Sequence, residues 1–124
     1  MLLIRLLFLW CCLGACCMIK AQDAAFTTKA PQERAQWLTD WMERRLQLNA
    51  GQVKQVAAIN LAYARRNEPI LKGKADRATK WKQLQALQVQ KDAEMKRVLT
   101  AQQFVQYSNA IAQLKKELKK YITP

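Results

Sequence analysis

The 124 residues contain no histidine, a single serine (Ser108), three glycines, and four cysteines that all lie within the first 17 positions. Each absence excludes something. Without histidine, and without cysteine beyond Cys17, the usual nucleophile–base pairs of hydrolases and thiol enzymes cannot be assembled. Zinc and copper sites built on imidazole or thiolate are excluded in the same way, which leaves only dispersed carboxylates. No disulfide framework can form downstream of residue 17, and no glycine-rich phosphate loop is present. The chain reads as non-enzymatic, with no cofactor implied. Acidic residues are scarce too: nine Asp and Glu stand against 21 Lys and Arg, a net charge of +12.

The beginning of the chain has a separate character. Met1 and Arg5 give a short basic start, Leu6 to Met18 form an apolar run, and small residues surround Ala21. This is the pattern of a secretory signal peptide over residues 1–22, too short and too soon interrupted by Lys20 for a membrane span. The same leader has a second reading. Leu13-Gly14-Ala15-Cys16 has lipobox spacing, in which Cys16 is lipidated and becomes the first residue. Either reading sends the protein out of the cytoplasm, to a periplasmic or lipid-anchored location. Without Arg5 and Lys20 the remainder carries 19 Lys and Arg against nine Asp and Glu, a net charge of +10. That balance favours anionic partners and says nothing about fold.

Residues 23–30 lack periodicity and read as a flexible arm ahead of one helical domain over 31–124. Pro31 suits the first position of a helix running to about Gln47, with Trp37, Leu38, Trp41, Met42, Arg45 and Leu48 along one side. A second helix presents Val53, Val56, Ala57, Asn60, Tyr63 and Ala64. Pro69 should kink or break it before Gly73 terminates it near Lys72. A third spans Asp76 to Val98 with Trp81, Leu84, Leu87, Met95 and Val98 on its face, interrupted by Gln88 and Lys91. The fourth follows Thr100 with a regular stripe of Phe104, Tyr107, Ile111, Leu114, Leu118 and Tyr121. The fold class is all-α: a four-helix elongated bundle whose few large apolar residues leave it thin, or completed by a second copy as a homodimer.

Two stretches organise these helices. In Leu48-Asn49-Ala50-Gly51-Gln52 and Leu99-Thr100-Ala101-Gln102-Gln103, Asn49 and Thr100 are N-caps and the glutamines three residues on complete capping boxes. Leu48 and Leu99 precede the caps as hydrophobic staples, aimed at Val53 and Phe104. The two copies are offset by 51 positions, a helix–box–helix unit used twice.

These paired boxes resemble the LTxxQ repeats of the Spy/CpxP family of exported envelope-stress proteins. Glu33-Arg34-Ala35, Thr39-x-x-Met42 and Ile59-Asn60-Leu61-Ala62-Tyr63-Ala64 are similar to that family's first and second helices. The resemblance implies a helical cradle, usually a dimer, in a family that includes ATP-independent chaperones, inhibitors of a sensor kinase and metal-responsive relatives. Asn49 stands where threonine is usual, which keeps the capping chemistry. The histidines of the metal-responsive branch are absent, so metal binding does not carry over.

The expected function is therefore a periplasmic ATP-independent holdase, or an envelope-stress protein, that binds unfolded or partly folded envelope proteins. Arg44, Arg45, Arg65, Arg66, Lys80 and Lys82 are the candidate client-binding cations, set among tryptophans that also fit the core. Docking on an envelope sensor and binding to anionic lipid or lipopolysaccharide are the alternatives. Nucleic acid is not an expected partner, because no groove-reading or RNA motif occurs. The cap assignment has a direct test: Thr100→Ala should lower stability by about 1 kcal/mol, read from the urea midpoint.

Overall fold

Four α-helices account for nearly all of residues 29–122, the part of the chain that this computed structural model describes, with side chains described through residue 117. The leader, Cys16 and most of the arm lie outside the described residues. The helices are α1 (Pro31–Leu46), α2 (Ala50–Lys72), α3 (Arg77–Val98) and α4 (Ala101–Ile122). There is no strand among the described residues. The fold is all-α, with four helices as the hydrophobic periods predict.

Local chemistry explains where each helix starts and stops. Pro31 begins α1, where its missing N–H leaves no bond unmade. At the other end Gln47 takes a left-handed φ of 52°, and the Leu48 N–H donates to the Glu43 carbonyl at 3.2 Å. This is a Schellman closure with glutamine in the place usually held by glycine, at a cost of about 1 kcal/mol. The sharp turn delivers Leu48 to the interior and leaves Asn49 free to cap α2. The second helix passes through Pro69 unbroken and reaches Lys72. The Arg65 carbonyl forgoes its helical donor there, since proline carries none. Gly73 ends α2 with extended backbone at φ −66°. Glycine suits this position because a Cβ would lie 3.0 Å from the Pro69 carbonyl oxygen. Asp76 caps α3 by accepting from the Thr79 N–H at 3.0 Å.

α2 packs along both α1 and α3, while α4 meets α3 and α1 over shorter stretches. All four helices feed one cluster of Met42, Leu46, Leu48, Val56, Met95, Leu99, Tyr107 and Ile111. It is concentrated where α1 and α3 end and α2 and α4 begin. Between Ala64 and Lys91 no described side chain is buried, so the far end of the α2–α3 hairpin is held by half-buried contacts alone. The α1 stripe also differs from expectation: Arg45 faces solvent, and Trp37 is 45% exposed. Trp41 packs partly buried against the core, and Trp81 is half-buried.

The apparent interruptions of the α3 stripe turn out to be interior positions. Gln88 is half-buried and donates to the Tyr107 hydroxyl at 3.1 Å and to Asp92 at 2.7 Å. Tyr107, fully buried, donates in turn to Asp92 at 2.9 Å. Lys91 is only 7% exposed. Loss of water draws its ammonium down from 10.5 to about 8, against the opposing pull of Asp92. A depressed lysine opposes folding at neutral pH, where the folded chain must carry the buried charge. Between pH 8 and 10.5 the unfolded chain binds the extra proton, so this group makes stability rise with pH. Lys91→Met should therefore stabilise the protein at pH 7 by roughly 1–3 kcal/mol and flatten that rise, measured by urea unfolding across the range.

Candidate functional site

Both predicted boxes form, and they touch each other. Asn49 Oδ1 accepts from the Gln52 N–H at 2.8 Å, and the Asn49 N–H donates to Gln52 Oε1 at 3.1 Å. At the second box Thr100 Oγ1 accepts from the Gln103 N–H at 3.2 Å, and the Thr100 N–H donates to Gln103 Oε1 at 3.0 Å. The two glutamines then pair. Gln52 Nε2 donates to Gln103 Oε1 at 2.7 Å, and Gln103 Nε2 donates to Gln52 Oε1 at 3.3 Å. Each amide has one N–H left, and each uses it on the helix leading into the other box. Gln52 donates to the Val98 carbonyl at 3.2 Å, and Gln103 donates to the Leu46 carbonyl at 3.1 Å. Both donors and both lone pairs of each side chain are used. Leu48 and Leu99 are buried beneath in the shared core, with Val53 and Phe104 packed against it.

The six candidate cations do not converge. Arg44 and Arg45 lie at the end of α1, Arg65 and Arg66 two-thirds along α2, and Lys80 and Lys82 at the start of α3. The α2 helix alone separates the first and last groups by about 30 Å. Arg44, Arg65 and Lys82 are exposed. Arg66 lies over the Tyr63 ring at 4.9 Å and donates to Gln90 at 2.8 Å. The Lys80 ammonium donates to the Leu71 carbonyl at 3.1 Å, near the end of α2, which gives it a structural partner. Arg45 sits 5.5 Å above the Trp41 ring. It also lines an open cleft of about 350 Å³ with Gln106, Asn109, Ala110 and Gln113 of α4. Among the described residues one guanidinium and three carboxamides line this cleft and no carboxylate does, an arrangement able to donate to carboxylate or carbonyl oxygens.

Several polar contacts had no sequence signature of their own. Buried Arg34 pairs with Glu68, and its guanidinium also reaches the Ala64 carbonyl at 3.4 Å. Lys72 and Arg34 together hold the Glu68 carboxyl below its ordinary value through hydrogen bonds. Tyr63 donates to Glu94 at 2.7 Å. Burial, with that carboxylate beside it, pushes the Tyr63 hydroxyl up. Asn60, nearly fully buried, donates to Thr39 Oγ1 at 2.9 Å. These contacts join α1 to α2 and α2 to α3, and they position helices rather than form a reaction centre. No group of three or more carboxylate, histidine or cysteine side chains is arranged to hold a metal among the described residues.

A family model described as a domain of unknown function, DUF4890, matches residues 21–107. The matched stretch takes in both boxes and ends at Tyr107, inside α4. Among curated proteins and solved structures, none matches.

The glutamine pair yields a charge test. Gln103→Glu replaces a donor with an oxygen that confronts Gln52 Oε1 and the Leu46 carbonyl. At pH 7 it should cost about 2–3 kcal/mol, more than Gln103→Ala, because it adds repulsion to the unmade bonds. The new carboxyl would have a raised pKa in the folded state, so part of the loss should return as pH falls and the acid can donate. Urea midpoints of both variants at pH 7 and at mildly acidic pH check the order and the recovery.

Proposed function

The chain belongs to the DUF4890 family, and we propose that its helical body is an exported ATP-independent holdase of the Spy/CpxP type. The observation that carries this reading is the strip on α1 formed by Trp37, Trp41 and Arg45, spaced by four residues along one face. Trp37 is 45% exposed, and the Arg45 guanidinium lies on the Trp41 ring. A cation resting on an aromatic face is oriented without a carboxylate partner, and its remaining N–H groups stay available. The reciprocal boxes support the family likeness, since they use the LTxxQ positions at matched places in two successive helix pairs.

The mechanism follows from ordinary forces. Net positive charge speeds encounter with an unfolded chain carrying acidic segments. Half-exposed rings then hold apolar side chains through limited contact, which keeps the complex short-lived. Release needs no nucleotide, because a client that folds buries the apolar surface being held. Arg44, Arg45, Arg65 and Lys82 act in this reading as separate footholds along the helices rather than as one pocket, while Lys80 and Arg66 are engaged at Leu71 and Gln90.

The test is aggregation of a reduced, denatured client at near-equimolar ratio without ATP. The native chain should suppress light scattering. Trp37→Ala combined with Arg45→Ala should weaken suppression several-fold while circular dichroism shows the helical fold retained at the assay temperature. Absence of suppression by the native chain sinks the holdase reading. Stoichiometric capture of one envelope sensor domain in its place would make the protein a regulator.

A further inference from the structure

The fourth helix is the most regularly amphipathic of the four in sequence, and its backbone is helical from Ala101 to Ile122. Its last buried side chain among those described is Ile111, yet the helix runs on to Ile122. The next stripe position, Leu114, is 44% exposed. The sequence repeats the apolar period at Leu118 and Tyr121. At 100° per residue, positions 111, 114, 118, 121 and 122 fall within an arc of about 100°. Lys115 and Lys119 border one side of that arc, and Lys116 and Lys120 follow further round. Residues 112–122 hold four lysines and one glutamate, a net charge of +3.

We infer that this end of α4 binds an anionic lipid surface, lying along it with the apolar arc sunk to the level of the headgroups. Lysines at the border of an apolar stripe can lay their methylene stems beside it and extend their ammonium groups to phosphates. Attraction of each such cation to an anionic surface acts within a Debye length, so several together on one face reinforce the apolar contact. Charge argues against a second copy as the occupant: antiparallel pairing through this stretch would set +3 against +3. No helix among the described residues is long and apolar enough to cross a membrane, so the contact is superficial. This surface is separate from the α1 strip and does not depend on the holdase reading.

Co-sedimentation of the full chain with phosphatidylcholine–phosphatidylglycerol vesicles, against pure phosphatidylcholine vesicles, tests the inference. All variants keep residues 1–30, so differences among them report on the helical body. The native chain should prefer the anionic vesicles. Lys115→Glu with Lys119→Glu should weaken that binding about ten-fold or more. The charge-matched control, Lys54→Glu with Lys74→Glu at exposed positions, should weaken it much less. Leu114→Gln, at constant charge, should also weaken it, with helicity by circular dichroism unchanged. Equal losses in the two double variants, or no preference for anionic vesicles, overturns the inference. So does a switch from dimer to monomer in the Lys115/Lys119 variant with vesicle binding retained, which would assign the face to a second copy. Client protection should be unaltered in that variant, so failure here and failure of the holdase reading are distinguishable.

Discussion

The exchange of two side-chain amides between Gln52 and Gln103 is the constraint on which the four-helix arrangement depends. Each glutamine caps the start of its own helix and reaches the last carbonyl of the helix that leads into the other box. The ends of α1 and α3 and the starts of α2 and α4 are thereby tied at one place. A neutral hydrogen bond contributes only about 1 kcal/mol net, so the ties are not the main source of stability. Their value is specificity. A sliding or rotated pairing would leave partly buried amides and helix-end carbonyls without partners, which costs more than the bonds contribute.

The core is distributed accordingly. Met42, Leu46, Met95 and Tyr107 gather beside the paired boxes, and burial thins along α2 and α3 with distance from them. Where apolar burial fades, polar contacts set the register: Arg34 with Glu68 between α1 and α2, Tyr63 with Glu94 between α2 and α3. Such contacts position helices well and stabilise them modestly, because their charged and polar members give up hydration to form them. Lys91 shows the opposite balance. It is buried with its charge largely uncompensated, at a place where an apolar side chain of similar length would fit the same stripe.

How much of this was legible follows from the range over which each interaction acts. Helix limits, the Asn49 and Thr100 caps and their glutamine partners are set within four residues, and they stand as the local pattern predicts. The contact between the boxes is a relation across 51 residues; the repeat pointed to equivalence but contained no distance. Gln47 carries no mark of a left-handed residue, and the turn is imposed by the need to bury Leu48 while α2 starts at once. Gly73 ends α2 as the sequence predicts, by a less common route. Glycine after a helix ordinarily marks left-handed backbone, whereas here it keeps a Cβ away from the Pro69 carbonyl. Arg45 fell on a predicted inner stripe yet faces solvent, because Met42 and Leu46 already occupy the interior beside α2. Lys91 looked like a polar interruption because its charge masks the length of apolar stem that the interior accepts.

The placement of the tie also determines which surfaces remain open. Because α4 is fastened at its first turn, its backbone stays helical for about 16 Å past Ile111, and Leu114, the next apolar position, is exposed. A short helical segment is marginal in isolation, and continuity with a packed turn removes the nucleation cost that would otherwise oppose it. The apolar positions beyond Ile111 are therefore presented in helical register before any ligand arrives. A surface organised in advance loses less conformational entropy on binding than a flexible tail of the same composition. The α1 strip is organised by a different device, Arg45 resting on Trp41. The box tie and the Arg45–Trp41 contact thus organise two stretches of different chemistry, the α1 strip resting on the core through Trp41 and the end of α4 continuing from it as helical backbone.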